Sequence, residues 1–289
     1  MKAAILDGKA LAVSLRAALK CEIDDIRQQS GAVPVFANIV VGHDAGAASY
    51  AKSQQRTAEA LGIDFRFLHL AATTTQQELN DQIALLNHDR GVHGIMLHKP
   101  LPEHIDFQAA VNAISVHKDL EGMNVANLGE MFLGHFHTVP CTPAAVMALL
   151  ASSGIDPAGK DAVIVGRSEI VGKPLIHLLL QKNCTVSVCH SATSKAGRLA
   201  EHISRADILV AALGRPGLIL GEWVRPGAVV IDVGINSVAG KITGDVEFAS
   251  AVERAAFITP VPGGVGPVTA VCLMRNGVEL FKRQIGFGV

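Results

Sequence analysis

Tyr50 is the only tyrosine in the chain, and Gln54 follows it at the i+4 spacing that stacks two side chains on one face of a helix. Ala47 lies one turn earlier on that face. Lys52 falls about 200° around the helix from Tyr50, at ~100° per residue, and so points elsewhere. Gln54 carries a carboxamide, which hydrogen-bonds but exchanges no proton near neutral pH. Further along, His98 and Lys99 precede Pro100-Leu101-Pro102. An imidazole titrates near neutrality, and adjacent strand residues point to opposite faces. His98 and Lys99 are therefore expected to face different ways, although the prolines that follow could turn Lys99. His98 either moves protons beside Gln54 or fills space and bonds a neighbour.

A second constellation starts at Val163. The run Val163-Ile164-Val165-Gly166-Arg167-Ser168-Glu169-Ile170-Val171-Gly172 reads as a strand ending in a glycine turn that opens a helix. Such a turn aims backbone N–H groups and a helix N-terminus at an anion. The Gly166 to Gly172 spacing departs from the usual G-x-G-x-x-G, so the run by itself also fits an ordinary strand-to-helix turn. An NAD site usually has an acidic residue at the end of the next strand; this chain has Cys189-His190-Ser191. The Ser191 hydroxyl, the His190 imidazole and the Arg167 guanidinium suit a ribose phosphate, so NADP is expected over NAD. His135-x-His137 lacks a third ligand at a recognisable spacing, and no metal site is expected.

These groups need elements to position them. Apolar residues at helical spacing run from Asp7 to Arg27; Val35 to Val41 reads as a strand, Ala45 to Leu61 as a helix closed by Gly62, and Asp64 to Leu70 as a strand. Thr75 to Asn87 predicts a helix with N-cap candidates at Thr73 to Thr75 and Glu78 in its first turn, and Gly94 to Leu97 a third strand. From Pro140 a second unit follows, with strands at Val163–Val165, Thr185–Cys189, Ile208–Ala212 and Val229–Val233, a helix over Lys173–Gln181, and a last helix over about Val268–Arg283. Strands alternating with helices predict parallel sheets with crossover helices, an α/β fold in two domains. The 289 residues suit two domains, and 49% hydrophobic against 18% charged residues supplies two buried cores. A formal charge of -1 offers no basic excess for nucleic acid. The five cysteines lack metal-ligand spacing and read as reduced thiols of a cytoplasmic protein. The apolar runs are too short to span a membrane, and Asp7 and Lys9 interrupt the amino-terminal one too early for a signal peptide.

The chain resembles the bifunctional methylenetetrahydrofolate dehydrogenase/methenyltetrahydrofolate cyclohydrolase family over nearly its whole length. The resemblance rests on Ile5-Leu6-Asp7-Gly8, Val41-Gly42, Gly94-Ile95 with Pro100-Leu101-Pro102, Lys118-Asp119, Asn127-x-Gly129, and Pro140-Cys141-Thr142-Pro143. It continues through Gly166-Arg167-Ser168 with Val171-Gly172-Lys173-Pro174, Cys189-His190-Ser191, Asp232-Val233-Gly234-Ile235-Asn236 and Gly244-Asp245-Val246. It closes on Pro260-Val261-Pro262-Gly263-Gly264-Val265-Gly266-Pro267-Val268-Thr269, a rigid loop whose bare backbone could approach a flat ring closely. The resemblance implies a catalytic domain over 1–139 plus the C-terminal helix 267–289, a Rossmann-like NADP-binding domain over 140–266, a cleft between them and a homodimer.

By the same resemblance, Tyr50, Gln54, His98 and Glu121 occupy catalytic positions. Leu97, Lys99, Pro262, Gly263, Gly264, Val265, Gly266 and Thr269 fall at the folate, and Gly166, Arg167, Ser168, His190, Ser191 and Ile235 at NADP. Four positions depart from the family pattern, all in the pterin half. Ala47 stands where serine is usual, Gln54 replaces a lysine, His98 a glutamine, and Glu121 an aspartate that resembles a pterin-binding carboxylate. The expected activity is NADP-dependent oxidation of methylenetetrahydrofolate, with cyclohydrolase activity in doubt at Gln54. The alternatives are a bifunctional enzyme using His98, a paralogue acting on another reduced pterin, and a non-catalytic binder.

Overall fold

The computed structural model describes residues 2–43 and 45–287, without the side chains of residues 45–50 and 53. In chain order the elements are β1 (Ala4–Ile5), α1 (Gly8–Ser30), β2 (Val35–Val41), α2 (Ala45–Leu61), β3 (Asp64–Leu70), α3 (Gln76–His88), β4 (Gly94–Leu97), α4 (Phe107–Ala113), α5 (Val125–Leu133) and α6 (Cys141–Ser152). They continue with β5 (Asp161–Val165), α7 (Gly172–Gln181), β6 (Thr185–Cys189), α8 (Ser191–Lys195), α9 (Leu199–Ile203), β7 (Ile208–Ala211), β8 (Val229–Asp232), β9 (Asn236–Val238), β10 (Lys241–Thr243), α10 (Phe248–Ala251), β11 (Phe257–Ile258) and α11 (Val265–Gln284). Among the described residues no helix is long and apolar enough to cross a membrane.

The chain forms two compact units. One comprises the chain up to Ser14 with Pro140–Cys272, and the other Leu15–Val139 with the chain from Leu273 onward. The start of the chain, expected with the catalytic domain, groups instead with the later residues because β1 pairs in parallel with β11, Ala4 against Phe257 and Ile5 against Ile258. At the other end α11 changes unit at Leu273 rather than at 267. Beyond that point Asn276 Nδ2 donates to the carbonyls of Leu120 (2.9 Å) and Val139 (2.8 Å), and Gln284 Nε2 to that of His93 (2.7 Å).

The unit containing Pro140–Cys272 is built on a six-stranded sheet in the order β1-β11-β8-β7-β5-β6, parallel throughout. Strands β7 and β8 are buried along their whole length, as parallel strands covered on both faces must be. Val163, Val165, Leu209 and Val230 contribute to one core cluster, with Trp223 packed at its margin.

The other unit holds a three-stranded sheet with β2 between β3 and β4, both pairings parallel. Alternation decides what each face carries. Ala37, Ile39, Val41, Ile95 and Leu97 share a core cluster with Leu79 and Ile83 of α3 and Ala110 of α4. The intervening residues Phe36, Asn38 and Met96 turn to the other face, where Phe36 meets α11 so closely that a Cβ on Gly277 would lie 2.1 Å from its ring. Helix α3 begins on the predicted capping box: the Thr75 side chain accepts from the Glu78 N–H, and the Glu78 carboxylate accepts from the Thr75 N–H.

Candidate functional site

At the carboxyl end of the three-stranded sheet, four side chains from three elements form a buried polar chain. Met96 on β4 and Asn38 on β2 are register partners, and His98, two residues after Met96, returns to the same face. The His98 N–H still bonds the Ile39 carbonyl at 2.9 Å, which anchors the ring just past the end of β4. Gln54 of α2 reaches into this face. Its Nε2 donates to Met96 Sδ at 3.4 Å, and its Oε1 accepts from Asn38 Nδ2 at 2.8 Å. Asn38 Nδ2 also lies 2.8 Å from His98 Nε2. Gln54 and Asn38 are each 1% exposed and His98 3%, so the glutamine is held inside the unit rather than presented to solvent. Lys52, as its helical angle requires, is exposed. The side chains of Tyr50 and Ala47, expected on the face of Gln54, lie outside the described residues.

Burial pushes the His98 imidazole down to about 4. The ring is therefore neutral at physiological pH, and an Nε2 facing an amide donor acts as an acceptor. Asn38 Oδ1 is buried without a hydrogen-bond partner, the expense of spending both amide protons on Gln54 and His98. No motif points to Asn38; its one signal is an amide within the otherwise apolar run Val-Phe-Ala-Asn-Ile-Val-Val.

Leu97 and Lys99, expected at the folate, do not join the Gln54–Asn38–His98 chain. Leu97 is 2% exposed within the cluster of Ile39, Leu79 and Ile83, because strand alternation turns it away from Met96 and His98. Lys99 is exposed and holds its ammonium 3.7 Å from the centre of the Phe107 ring, a cation–π contact that separates it from His98.

Beside β4, Asp119 forms a parallel bridge with Ile95 and sets the position of Glu121. The buried Asp119 carboxylate accepts from the Asn124 N–H (2.7 Å), Asn127 Nδ2 (2.9 Å) and the Glu121 N–H (3.2 Å). It thereby fixes the turn that carries Glu121. Burial first, and then the Asp119 charge, push Glu121 up to about 8, while Lys99 pulls the other way. At neutral pH this half-buried group is mostly a neutral carboxyl, able to donate as well as accept.

In the segment from Pro260 to Thr269 the glycines answer to the chain's own backbone. A Cβ on Gly264 would lie 2.6 Å from the Pro260 carbonyl oxygen, and one on Gly8 1.7 Å from that of Gly264. Gly263 is buried, while Pro262 and Gly266 are exposed. Val265 and Gly266 start α11 rather than ending a loop, and Thr269 donates its hydroxyl to the Val265 carbonyl at 3.1 Å.

The glycine turn of the six-stranded sheet fits a dinucleotide. Gly166 has φ 138°, and a Cβ there would lie 2.2 Å from the Ala212 carbonyl oxygen; only glycine lets the strand turn so tightly into α7. Val171 supplies no side-chain cap, which leaves the positive end of the α7 dipole beside Arg167 and Ser168. The one carboxylate in this turn, Glu169, is paired with Lys173 at 3.1 Å. At the end of β6, His190 Nδ1 accepts from the Ala192 N–H at 3.3 Å, next to the exposed Ser191. Two carboxylates, given no role by the resemblance, hold the neighbouring loops. Asp245 accepts from the N–H groups of Leu213 (2.6 Å), Gly214 (3.0 Å) and Arg215 (2.7 Å). Asp232 accepts from those of Gly234 (2.9 Å), Asp245 (3.0 Å) and Val246 (2.8 Å), and burial pushes it up to about 6. Ile235, between these anchored points, is 71% exposed.

A parallel six-stranded sheet with this turn defines a dinucleotide-binding unit, here joined in one chain to a smaller parallel unit. The tetrahydrofolate dehydrogenase/cyclohydrolase catalytic domain matches residues 6–121, and the NAD(P)-binding domain of the same family matches residues 140–285. The Myxococcus xanthus protein named bifunctional protein FolD 2 is 48% identical, covering 98% of this chain and 97% of its own. The crystal structure of the bifunctional enzyme FolD, methylenetetrahydrofolate dehydrogenase/cyclohydrolase, from Campylobacter jejuni superposes with a TM-score of 0.93 at 40% identity, covering 97% of this chain and 99% of that one. The Trypanosoma brucei enzyme, solved with NADP cofactor and an inhibitor, gives 0.93 at 38%, covering 98% of each. The chain belongs to the tetrahydrofolate dehydrogenase/cyclohydrolase family.

Proposed function

We propose that the protein oxidises methylenetetrahydrofolate to methenyltetrahydrofolate with NADP, and that it gives little or no acceleration to hydrolysis of the methenyl product. The observation that carries the second half is the state of Gln54. At the family's lysine position stands an amide locked between Asn38 and Met96, and a placed acid/base group contributes roughly 10²- to 10⁴-fold to such proton-dependent steps. His98, which shares Asn38 with Gln54, is held neutral by burial, with Nε2 already facing Asn38. That counts against the bifunctional alternative in which His98 supplies the proton chemistry.

Hydride transfer makes smaller demands on these side chains. NADP, when bound, supplies the hydride acceptor; the protein has to hold and orient the two reactants. Gly166, Arg167, Ser168, His190, Ser191 and Ile235 would hold the dinucleotide, the Arg167 guanidinium and the His190 imidazole favouring the extra phosphate. Glu121 would meet the pterin as a neutral carboxyl. Its extra methylene and its high pKa favour a second reading, turnover of a differently substituted reduced pterin by the same site. The proposal takes the enzyme to be a cytoplasmic homodimer.

NADP reduction by purified protein with methylenetetrahydrofolate tests the reading, and NADPH formation is the expected result. Failure to reduce either NADP or NAD with that substrate, while other reduced pterins support reduction, would shift the assignment to the second reading. Nucleotide binding without turnover of any of them would leave a non-catalytic binder.

A further inference from the structure

Asp245 is completely buried, yet hydrogen-bond donors surround its carboxylate. One oxygen accepts from the N–H groups of Leu213 and Gly214, the other from the Arg215 N–H and from Asn236 Nδ2 at 2.9 Å. Successive N–H groups that converge on one point form a backbone nest that attracts an anion, and here the chain fills that nest itself. The seat is built closely around the group. A Cβ on Gly234 would lie 2.4 Å from Asp245 Cγ, and one on Gly244 2.0 Å from an Asp232 carboxylate oxygen. Asp232 in turn accepts from the Asp245 N–H at 3.0 Å, so the second carboxylate anchors the backbone of the first.

The loop gripped in this way walls the nucleotide turn. Ala212, the residue before Leu213, donates its N–H to the Val165 carbonyl at 2.8 Å. Its own carbonyl oxygen is the atom that a Cβ on Gly166 would meet at 2.2 Å. We propose that Asp245 is a positioning residue for the dinucleotide: as an internal anion it holds the loop after β7 in the conformation against which the Gly166 turn packs. Hydrogen bonds to a charged group are roughly twice as strong as neutral ones, so the carboxylate outcompetes other acceptors for these N–H groups. Without it the loop carries unpaired donors and turns to find new partners, and the wall beside Gly166 moves with it. This deepens the NADP half of the proposed function and rests on the Gly166 turn holding the nucleotide.

Asp245→Asn keeps the shape of the side chain and replaces one oxygen by an NH2 group. Each oxygen faces two donors, so either orientation of the new amide sets donors against donors. NADP binding is followed by fluorescence titration at a temperature where urea titration shows the variant folded, beside Gly166→Ala as the reference for the turn. The Kd of Asp245→Asn for NADP is expected to rise about tenfold or more, and the KM for NADP with it, while the KM for methylenetetrahydrofolate stays within about twofold. A carboxylate with only a structural role would lower stability and leave both nucleotide constants unchanged in the folded protein. Asp245→Asn binding NADP within about twofold of the wild type, with Gly166→Ala weakened, would overturn the proposal; unchanged affinity in Gly166→Ala would refute the nucleotide turn itself. Where Asp245→Asn fails to fold, hydrogen exchange in the wild type decides. The Leu213, Gly214 and Arg215 amides are expected to exchange at least about a hundredfold more slowly than in unstructured peptide, and exchange at the unstructured rate would overturn the proposal.

Discussion

Asn38, Gln54 and His98 sit on a strand, a helix and a strand end, and their chemistry comes from contact rather than from any of them singly. Burial keeps His98 neutral down to about pH 4, whereas an unfolded chain protonates it near 6.5. As pH falls through 6.5 the unfolded state takes up a proton that the folded state refuses, so this contribution is present above 6.5 and is lost between 6.5 and about 4. It amounts to about 3 kcal/mol over that window. Asp232 and Glu121, whose pKa values are raised, change stability in the opposite sense, so the comparison has to be differential. Between pH 7 and 4, the wild type is expected to lose about 3 kcal/mol more unfolding free energy than His98→Gln in urea titrations. Parallel pH profiles for the two proteins would show that the ring is solvated in the folded state. Gln54 was legible in the sequence because i+4 spacing and a familiar motif frame it. Asn38 was not, since its partners lie 16 and 60 positions away and no local pattern links them.

Elements with strong local signals were legible almost to the residue. The β-branched run Val35–Val41 and the stretch Ala45–Leu61 closed by Gly62 fold as read, and Gly62 adopts the positive φ of a helix-ending glycine. The hairpin of β9 and β10 gave no such signal. Its turn puts Ala239 at φ 49° and Gly240 at φ 77°, a two-residue turn usually announced by Asn-Gly or Asp-Gly. Helices α4 and α5 are short and owe their starts to Asp106 and Asn124 caps, which do not stand out in the sequence without the fold. At Gly166 the local reading and the structure coincide in one prediction. In Gly166→Ala, the new Cβ would press on the Ala212 carbonyl in a backbone region that costs a side chain about 1–3 kcal/mol. The variant is expected to bind NADP about tenfold more weakly or worse in a fluorescence titration. Unchanged affinity would mean that the turn from β5 into α7 does not form the nucleotide site.

At the scale of the whole molecule, the alternation of strands and helices led to two parallel α/β units, but membership at the chain ends could not be read locally. Whether Ala4 and Ile5 pair with a strand more than 250 residues later is settled by a two-residue register with Phe257 and Ile258, too short to leave a pattern. By the resemblance, the departures are unevenly spread: the nucleotide unit is expected to keep its turn and its His190-Ser191 pair, while Gln54, His98 and Glu121 are the expected changes in the other unit. Orientation and a bound acceptor suffice for hydride transfer, whereas water addition needs a group that exchanges protons. The most direct test is therefore a comparison of two initial rates on one preparation, NADPH formation from methylenetetrahydrofolate and loss of methenyltetrahydrofolate. NADPH formation with methenyl loss no faster than in buffer is the predicted outcome. Hydrolysis at a rate comparable to NADP reduction would contradict the account.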